Sequence, residues 1–364
     1  MDLAERRLII VAGKGGVGKT TTSCAIALEM ARLGRRTLLV TVDPAKRLED
    51  ALGVPVGFAE TPVQPNLAAM MLEPSKVIKE HLEERLPQAR ITEHPLFKSV
   101  SQNLPGLNEL MAIGKLNDLR RAQKYDCIVV DTAPTGHALS FLGAPKAMEE
   151  LFSDRSLVKW AVRGYAVWQK ITGTARTMQN VFRRKEEQQE VPPDIDFEKV
   201  FGEIQAEATR IRSFLNDPQH SALVLVTLPE KLPVEETCDL YEAVTEELAM
   251  TVHAIVVNKL QPDPLGPLRE RFLRLEDDPA ARDAFVAACA KASGESPELV
   301  QAMLEATRFN DLRRQMNLEH MRELRRRLPA VDTVAVPLWK EDVQGLRRLG
   351  PFREALFDPT NKVA

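Results

Sequence analysis

The sequence predicts an α/β protein: a mostly parallel, twisted sheet flanked by helices, with an α-helical subdomain inserted into it. Three observations carry this. The glycine-rich stretch GKGGVGKT, 13–20, lies between an apolar run, 8–11, and a helical pattern over 20–33. That is the strand, tight turn, helix order that a phosphate-cradling loop requires. Short apolar runs recur at 37–42, 127–130, 222–228 and 254–257, as expected of strands buried on both faces. Helical stretches separate the runs, so right-handed crossovers make the sheet parallel.

Composition narrows the class. A chain of 364 residues buries a large core, and a net charge of −3 argues against a globally basic nucleic-acid binder. Apolar runs such as ALVLVTL at 222–228 stay well short of the ~20 residues of a spanning helix. The N-terminus, MDLAERR, lacks an apolar signal core. We therefore expect a cytoplasmic protein, at most peripheral at a membrane, with no nucleic acid as partner. The four cysteines, Cys24, Cys127, Cys238 and Cys289, lie far apart with no C-x-x-C pair. This pattern fits reduced, mostly buried thiols, and no zinc is expected.

The loop dictates its own chemistry. Gly13, Gly15, Gly16 and Gly18, with Val17 between them, let backbone N–H groups turn inward around a phosphate chain. A helix N-terminus adds its dipole, and Lys19 reaches the terminal phosphates. Thr20 is placed for Mg²⁺ and Thr21 for the α-phosphate, so a phosphate chain with Mg²⁺ is the expected ligand. Lys14 occupies a position that the generic motif leaves free. The run 37–42 ends at Asp43, outside the carboxyl end of a strand, where ligands of parallel sheets bind. An acid there could hold a ribose, but the Gly-Lys-Thr ending equips the site for phosphates. Near a γ-phosphate, Asp43 is placed to orient or deprotonate the attacking water.

As a whole, GKGGVGKT resembles the deviant phosphate loop of a group of dimeric ATPases. The resemblance implies that Lys14 crosses to the partner subunit's nucleotide, hence a homodimer or a heterodimer with a paralogous ATPase. The stretch TVDPAKRLED, 41–50, resembles the first switch of the family that comprises the arsenical-pump ATPase and the ATPase for guided entry of tail-anchored proteins. There the aspartate of D-P-A is catalytic, which carries over to Asp43. Lys46 and Arg47 depart from the histidine and asparagine usual in the tail-anchor members.

Further along, 66–73 reads as a third strand, with helices over 75–86 and 107–123. Pro105, Gly106 and Glu109 resemble the family's P-G-x-x-E segment and read equally well as a helix start. The apolar run 127–130 delivers Asp131, the geometry for a carboxylate behind a Mg²⁺-bound water. The stretch Asp131, Thr132, Ala133, Pro134, Thr135, Gly136 and His137 resembles the family's second switch residue for residue. Gly136 would let the backbone respond to the γ-phosphate. His137 reads as structural rather than as a metal ligand, and Ser140 stands where the family often has arginine.

Between 155 and 185 there is no Asp or Glu, while Leu157, Trp160, Tyr165 and Trp168 recur at helical spacing. Such a stripe reads as core or as a basic amphipathic surface for a hydrophobic client, an acidic partner or a membrane. In the tail-anchor ATPases a helical insert at this place receives a client's transmembrane helix. The charged run 183–194 reads as a linker, 197–215 as a helix and 222–228 as a strand. The segment TLPEKLPVEET, at the end of that strand, resembles the family's T-x-P-E segment. Asn258, at the end of run 254–257, is placed to pair with adenine through its amide; V-V-N-K-L resembles the family's adenine strand. Helices punctuated at Pro264, Pro267, Pro279, Gly294 and Pro297 fill 262–330. A last strand, 333–336, enters PLWKEDVQGLRRL, which resembles the family's closing segment, with Pro337 and Leu338 edging the adenine pocket. The expected organisation is a core over 1–143, a helical insert at 144–218, core again at 219–261, helices at 262–330, and a closing strand and helix at 331–364.

The resemblance implies ATP hydrolysis coupled to a dimer's change of shape and to capture and release of a hydrophobic client or partner protein. The alternative is the catalytic subunit of an arsenite efflux system, which generally joins two such halves and clusters its thiols. A positioning ATPase for DNA or membranes shares the loop but not the second switch.

Overall fold

The structure, a computed structural model, describes residues 1–43, 47–72, 107–133, 135–153 and 197–363. The chain opens with β1 (Leu8–Gly13), α1 (Lys19–Arg32), β2 (Thr37–Thr41) and α2 (Arg47–Leu52). A short hairpin, β3 (Thr61–Gln64) and β4 (Leu67–Met71), comes after them. Next are α3 (Leu107–Arg121), β5 (Cys127–Asp131), α4 (Thr135–Ser153) and α5 (Phe197–Leu215). The second half holds β6 (Ser221–Thr227), α6 (Lys231–Glu242), β7 (Val252–Leu260), then α7 (Arg269–Asp277), α8 (Pro279–Ser293) and α9 (Pro297–Arg327). It closes with β8 (Asp332–Pro337) and α10 (Leu346–Phe357).

The strands form one eight-stranded sheet in the order β3-β4-β2-β5-β1-β6-β7-β8. Every pairing is parallel except β3 with β4. This is the α/β architecture expected, with one edge strand more. Thr61–Gln64 escaped the sequence reading because four residues containing Pro62 carry too little pattern; an edge strand tolerates the proline's missing donor. Asn66, at φ 63°, turns the chain between β3 and β4, so β4 starts one residue later than expected. The run read over 254–257 belongs to a nine-residue strand, because β7 continues alongside β8 as far as Leu260. The expected boundary at 143/144 falls inside α4, which passes through it unbroken.

Alternation along the central strands sorts the core into two layers. Leu8, Ile10, Leu38, Val40, Ile128, Val130, Leu223 and Leu225 face one layer with Leu110, Ala138, Met148, Ile204 and Ile211 of α3 to α5. Ile9, Val11, Leu39, Val129, Val224 and Val226 face the other, with Ile26 and Met30 of α1 and Phe352 of α10. Period-two alternation buried on both faces is the signature of a parallel sheet. Gly13, Thr41 and Asp131 thus come together at the carboxyl ends of β1, β2 and β5, where the chain changes direction across the sheet.

Phe352 is 1% exposed and joins the last helix to α1, whereas Met303 on α9 is 61% exposed. Phe352→Ala is expected to lose about 3–5 kcal/mol in equilibrium denaturant unfolding, and Met303→Ala to stay within about 0.5 kcal/mol. Equal midpoints for the two variants would show that α10 is not part of the core.

Candidate active site

The loop between β1 and α1 is shaped by what a side chain would strike. A Cβ on Gly13 would lie 2.3 Å from the Val226 carbonyl oxygen. Gly18 sits at φ 100°, and a Cβ there would lie 2.2 Å from Asn258 Nδ2. Gly18 also precedes α1 without a side-chain cap, and the first turn of α1 holds no acid. The uncapped N–H groups and the positive end of the helix dipole therefore suit an anion. Lys19 is buried and donates to the Lys14 carbonyl oxygen at 2.8 Å. Burial pulls the Lys19 pKa down, opposed chiefly by the nearby charge of Asp131.

Asp131, 1% exposed, joins three elements. Its Oδ2 accepts from Thr20 Oγ1 at 2.9 Å and from Thr41 Oγ1 at 3.4 Å, and its Oδ1 accepts from Ser23 Oγ at 3.2 Å. Hydroxyls alone compensate a buried charge poorly. Desolvation accordingly pushes the Asp131 pKa up to about 6, against the pull of Thr20, Lys19 and Ser23. A deeply buried, under-neutralised carboxylate beside a threonine hydroxyl at the mouth of an anion loop is a donor set that suits a hard divalent cation.

Two further acids border the loop. The backbone N–H of Asp43 donates to Thr41 Oγ1 at 3.2 Å, and its carboxylate lies 3.4 Å from Arg47, one helical turn on. The Arg47 charge also reaches Lys19, whose pKa it lowers. Lys14 pairs with Glu236, on the second turn of α6. Asn258 is buried; its Nδ2 donates to the Val17 carbonyl oxygen at 2.9 Å and its Oδ1 accepts from Lys259 N–H at 2.9 Å. The amide thus braces the loop and keeps one N–H and one lone pair for a further partner. Pro337 and Leu338 lie against Leu260, with Leu338 N–H donating to its carbonyl oxygen at 2.8 Å. In the segment that resembles the family's second switch, the Thr132 hydroxyl donates to Val11 O at 2.9 Å, Ala133 is next, and Thr135, Gly136 and His137 open α4.

Of the residues that the sequence marked, 13–21, Asp43, Asp131 and Asn258 meet around one loop, while Pro337 and Leu338 are joined to the end of β7 at Leu260. Pro44, Ala45, Lys46, Pro105, Gly106 and Pro134, and the aromatic stripe Leu157, Trp160, Tyr165 and Trp168, lie outside the described residues. Ser23, Thr41 and Glu236 carry no individual mark in the sequence, and Arg47 is marked there only as a departure from the family pattern, not as a partner of Asp43. Ser23 stands one helical turn after Lys19, and Arg47 is spaced four residues from Asp43, both readable signals. Nothing in the sequence links Lys14 to Glu236, 222 positions away.

Residues 6–272 match the family model described as anion-transporting ATPase. The chain belongs to this family. It is similar to ATPase GET3 of Mycosarcoma maydis, 30% identical over 269 residues that cover 71% of this chain and 74% of that protein. ATPase get3 of Schizosaccharomyces pombe is 30% identical over 271 residues, covering 72% and 76%. ATPase get3 of Botryotinia fuckeliana is 27% identical over 370 residues, which span 99% of this chain and 92% of the relative. As a member of this family, the chain is an ATPase.

The raised pKa of Asp131 has a signed consequence. Between about 4 and about 6 the folded protein holds a proton that the unfolded chain has lost, so this group's contribution to stability falls as pH rises through that window. The full difference is about 3 kcal/mol. Asp131→Asn should therefore leave the nucleotide-free protein roughly 1–3 kcal/mol more stable than wild type at pH 7.5 in denaturant unfolding, with the gain shrinking at pH 4.5. A gain independent of pH, or none, would refute the burdened carboxylate.

Proposed function

We propose that this ATPase works as a Mg²⁺-dependent dimer that couples its nucleotide state to capture and release of a hydrophobic client or partner protein. The observation that carries the reading is Asp131, buried at the end of β5 and bonded to Thr20 beside Lys19. Phosphoryl transfer asks the protein for positioning and charge stabilisation, and these residues suit both. Gly13, Gly15, Gly16, Val17 and Gly18 enclose the phosphates, Thr21 takes the α-phosphate, and Lys19 neutralises the terminal ones. Thr20 and, through a water, Asp131 would hold Mg²⁺, which when bound would supply charge neutralisation to the phosphate chain. Asp43, once Arg47 has turned to the phosphates, orients the attacking water and takes its proton. Lys14 serves the nucleotide of the opposite subunit.

Asn258 reads the adenine edge, with the backbone of Pro337 and Leu338 closing the pocket beside it. The second switch, 131–137, links nucleotide to client, because it begins at the magnesium carboxylate and runs into α4, which leads toward the client segment. There Leu157, Trp160, Tyr165 and Trp168 provide the apolar contact, and the flanking α4 and α5 pack on α3 and the sheet. The family resemblance and the relatives named ATPase GET3 support this cargo class. No helix among the described residues is long and apolar enough to cross a membrane. A cytoplasmic ATPase that meets its partner at the membrane surface is the consistent placement.

Arsenite efflux is the second reading, since the family model is described as anion-transporting. The thiols weigh against it. Cys24 and Cys127 are buried in one core layer, Cys238 is buried in the other and Cys289 lies on α8, so the four thiols are not gathered as a metalloid site requires.

Asp43→Asn is expected to lower phosphate release by roughly 10²–10⁴-fold and to accumulate an ATP-bound dimer, read by sedimentation. Pull-down of that variant with ATP should recover proteins carrying a hydrophobic helix, and Trp160→Asp with Trp168→Asp should lose them. Unchanged turnover would remove Asp43 from the chemistry. Recovery of a pump subunit would favour efflux.

A further inference from the structure

The lysine that distinguishes this loop is tied at both ends within its own chain. Its carbonyl oxygen accepts from Lys19 Nζ at 2.8 Å, and its ammonium pairs with Glu236 Oε1. The carboxylate sits on a fixed support. The neighbouring Val234 and Cys238 are buried in the core. Pro233 O, one turn earlier, accepts from Thr237 Oγ1 at 2.7 Å and from Thr227 Oγ1, at the end of β6, at 2.9 Å. Glu236 therefore cannot follow Lys14 far if that side chain leaves.

The pair is also incomplete. Glu236 Oε2 is buried and has no hydrogen-bond partner among the described residues, although the two side chains keep 31% and 40% of their exposure. A carboxylate with one satisfied and one bare buried oxygen holds its lysine less firmly than a fully bonded one would. A nucleotide's phosphate chain, with several negative charges and several acceptor oxygens, outcompetes it once within reach.

We propose that Glu236 is a latch on Lys14. It keeps the ammonium in its own subunit while no second nucleotide faces it, and it yields the ammonium when a second copy presents bound ATP. Glu236 is thus a positioning residue that sets the threshold for productive assembly. The inference rests on the reading that Lys14 acts across the dimer, and it adds a residue, an element and a regulation to that reading.

The test compares full-length wild type, Glu236→Gln, Glu236→Asp, Lys14→Ala and the double variant Lys14→Ala with Glu236→Gln. ATP turnover is measured against protein concentration at saturating ATP and Mg²⁺, and assembly is followed by sedimentation. Partly exposed ion pairs are worth little each, and two open per dimer, so Glu236→Gln should reach half-maximal turnover at a protein concentration roughly 3–10-fold lower. Glu236→Asp, which keeps the charge, should restore the wild-type threshold in part. In the Lys14→Ala background the glutamine substitution should no longer shift ATP-driven assembly. An inactive Lys14→Ala with Glu236→Gln superimposed on wild type would overturn the latch and leave the trans lysine standing. Full turnover by Lys14→Ala would overturn the trans reading and the latch with it. A folded Glu236→Gln that binds ATP but does not turn over would also overturn the latch, because Glu236 would then act in the chemistry. Should Glu236→Gln misfold, Glu236→Ala is read against the same outcomes.

Discussion

The burial of Asp131 is the constraint on which the rest of the site depends. One carboxylate at the end of β5 draws hydroxyls from Thr20 and Ser23 on α1 and Thr41 on β2. Loop, sheet and first switch are thereby held around a charge that the protein alone leaves under-compensated. Register makes this possible: Val11 and Thr41 both lie beside Asp131, so β2 and β5 end level while β1 runs two residues further into the loop at Gly13. A shift of one residue in β5 would turn the carboxylate from its present face to the opposite one. The apolar runs are therefore part of the chemistry, because their alternation into two layers fixes which residue emerges at the rim.

The second half of the chain holds the other side of the loop through a polar clasp. Asn317, buried on α9, donates to Pro229 O at 2.8 Å and accepts from Gln261 N–H at 3.2 Å. Arg314 adds a bond to Gln261 O at 2.5 Å. These contacts fasten α9 to the segments leaving β6 and β7, which lead on to Glu236 and come just after Asn258. The exposed Met303, Phe309, Leu312 and Met316 lie on the same 31-residue helix.

Elements with local signals were legible in advance. Ser296 and Asp278 cap α9 and α8 by accepting N–H groups three residues on, and Pro297 and Pro279 stand at the first turn, so the punctuation read in the sequence marks real helix starts. The loop and the acids at strand ends were visible because turn chemistry and apolar runs are written over a few neighbouring residues. Thr61–Gln64 was not, since its pairing to Leu67–Met71 rather than its own pattern makes it a strand. The pairing of Lys14 with Glu236 was equally hidden, because spacing says nothing about two side chains that only the β1–β6 pairing brings to one rim. Asn258 stands out in the sequence by its place at a strand end, but its brace on Val17 and its closeness to Gly18 required the fold.

The charges around the loop form a balanced set. Lys14 is matched by Glu236, Arg47 by Asp43, and Lys19 lies within the field of Asp131. A site so arranged is not an open positive hole waiting for an anion. Under the proposed reading, ATP exchanges partners within it: phosphates take the cations, and each cation taken releases a carboxylate. The exchange adds little net charge attraction, since acids are displaced as phosphates enter, so binding rests more on the uncapped α1 terminus and the glycine cradle. Its larger effect falls on the released acids. Asp43 without Arg47 is free to face the attacking water, and Asp131 gains the positive neighbour that its burial calls for. Hydrolysis reverses the exchange, because loss of the terminal phosphate leaves the cations with their carboxylates as the best remaining partners. On this reading the pairs that neutralise the resting protein re-form once the phosphates leave, with side chains drawn from α2, α6 and the loop itself.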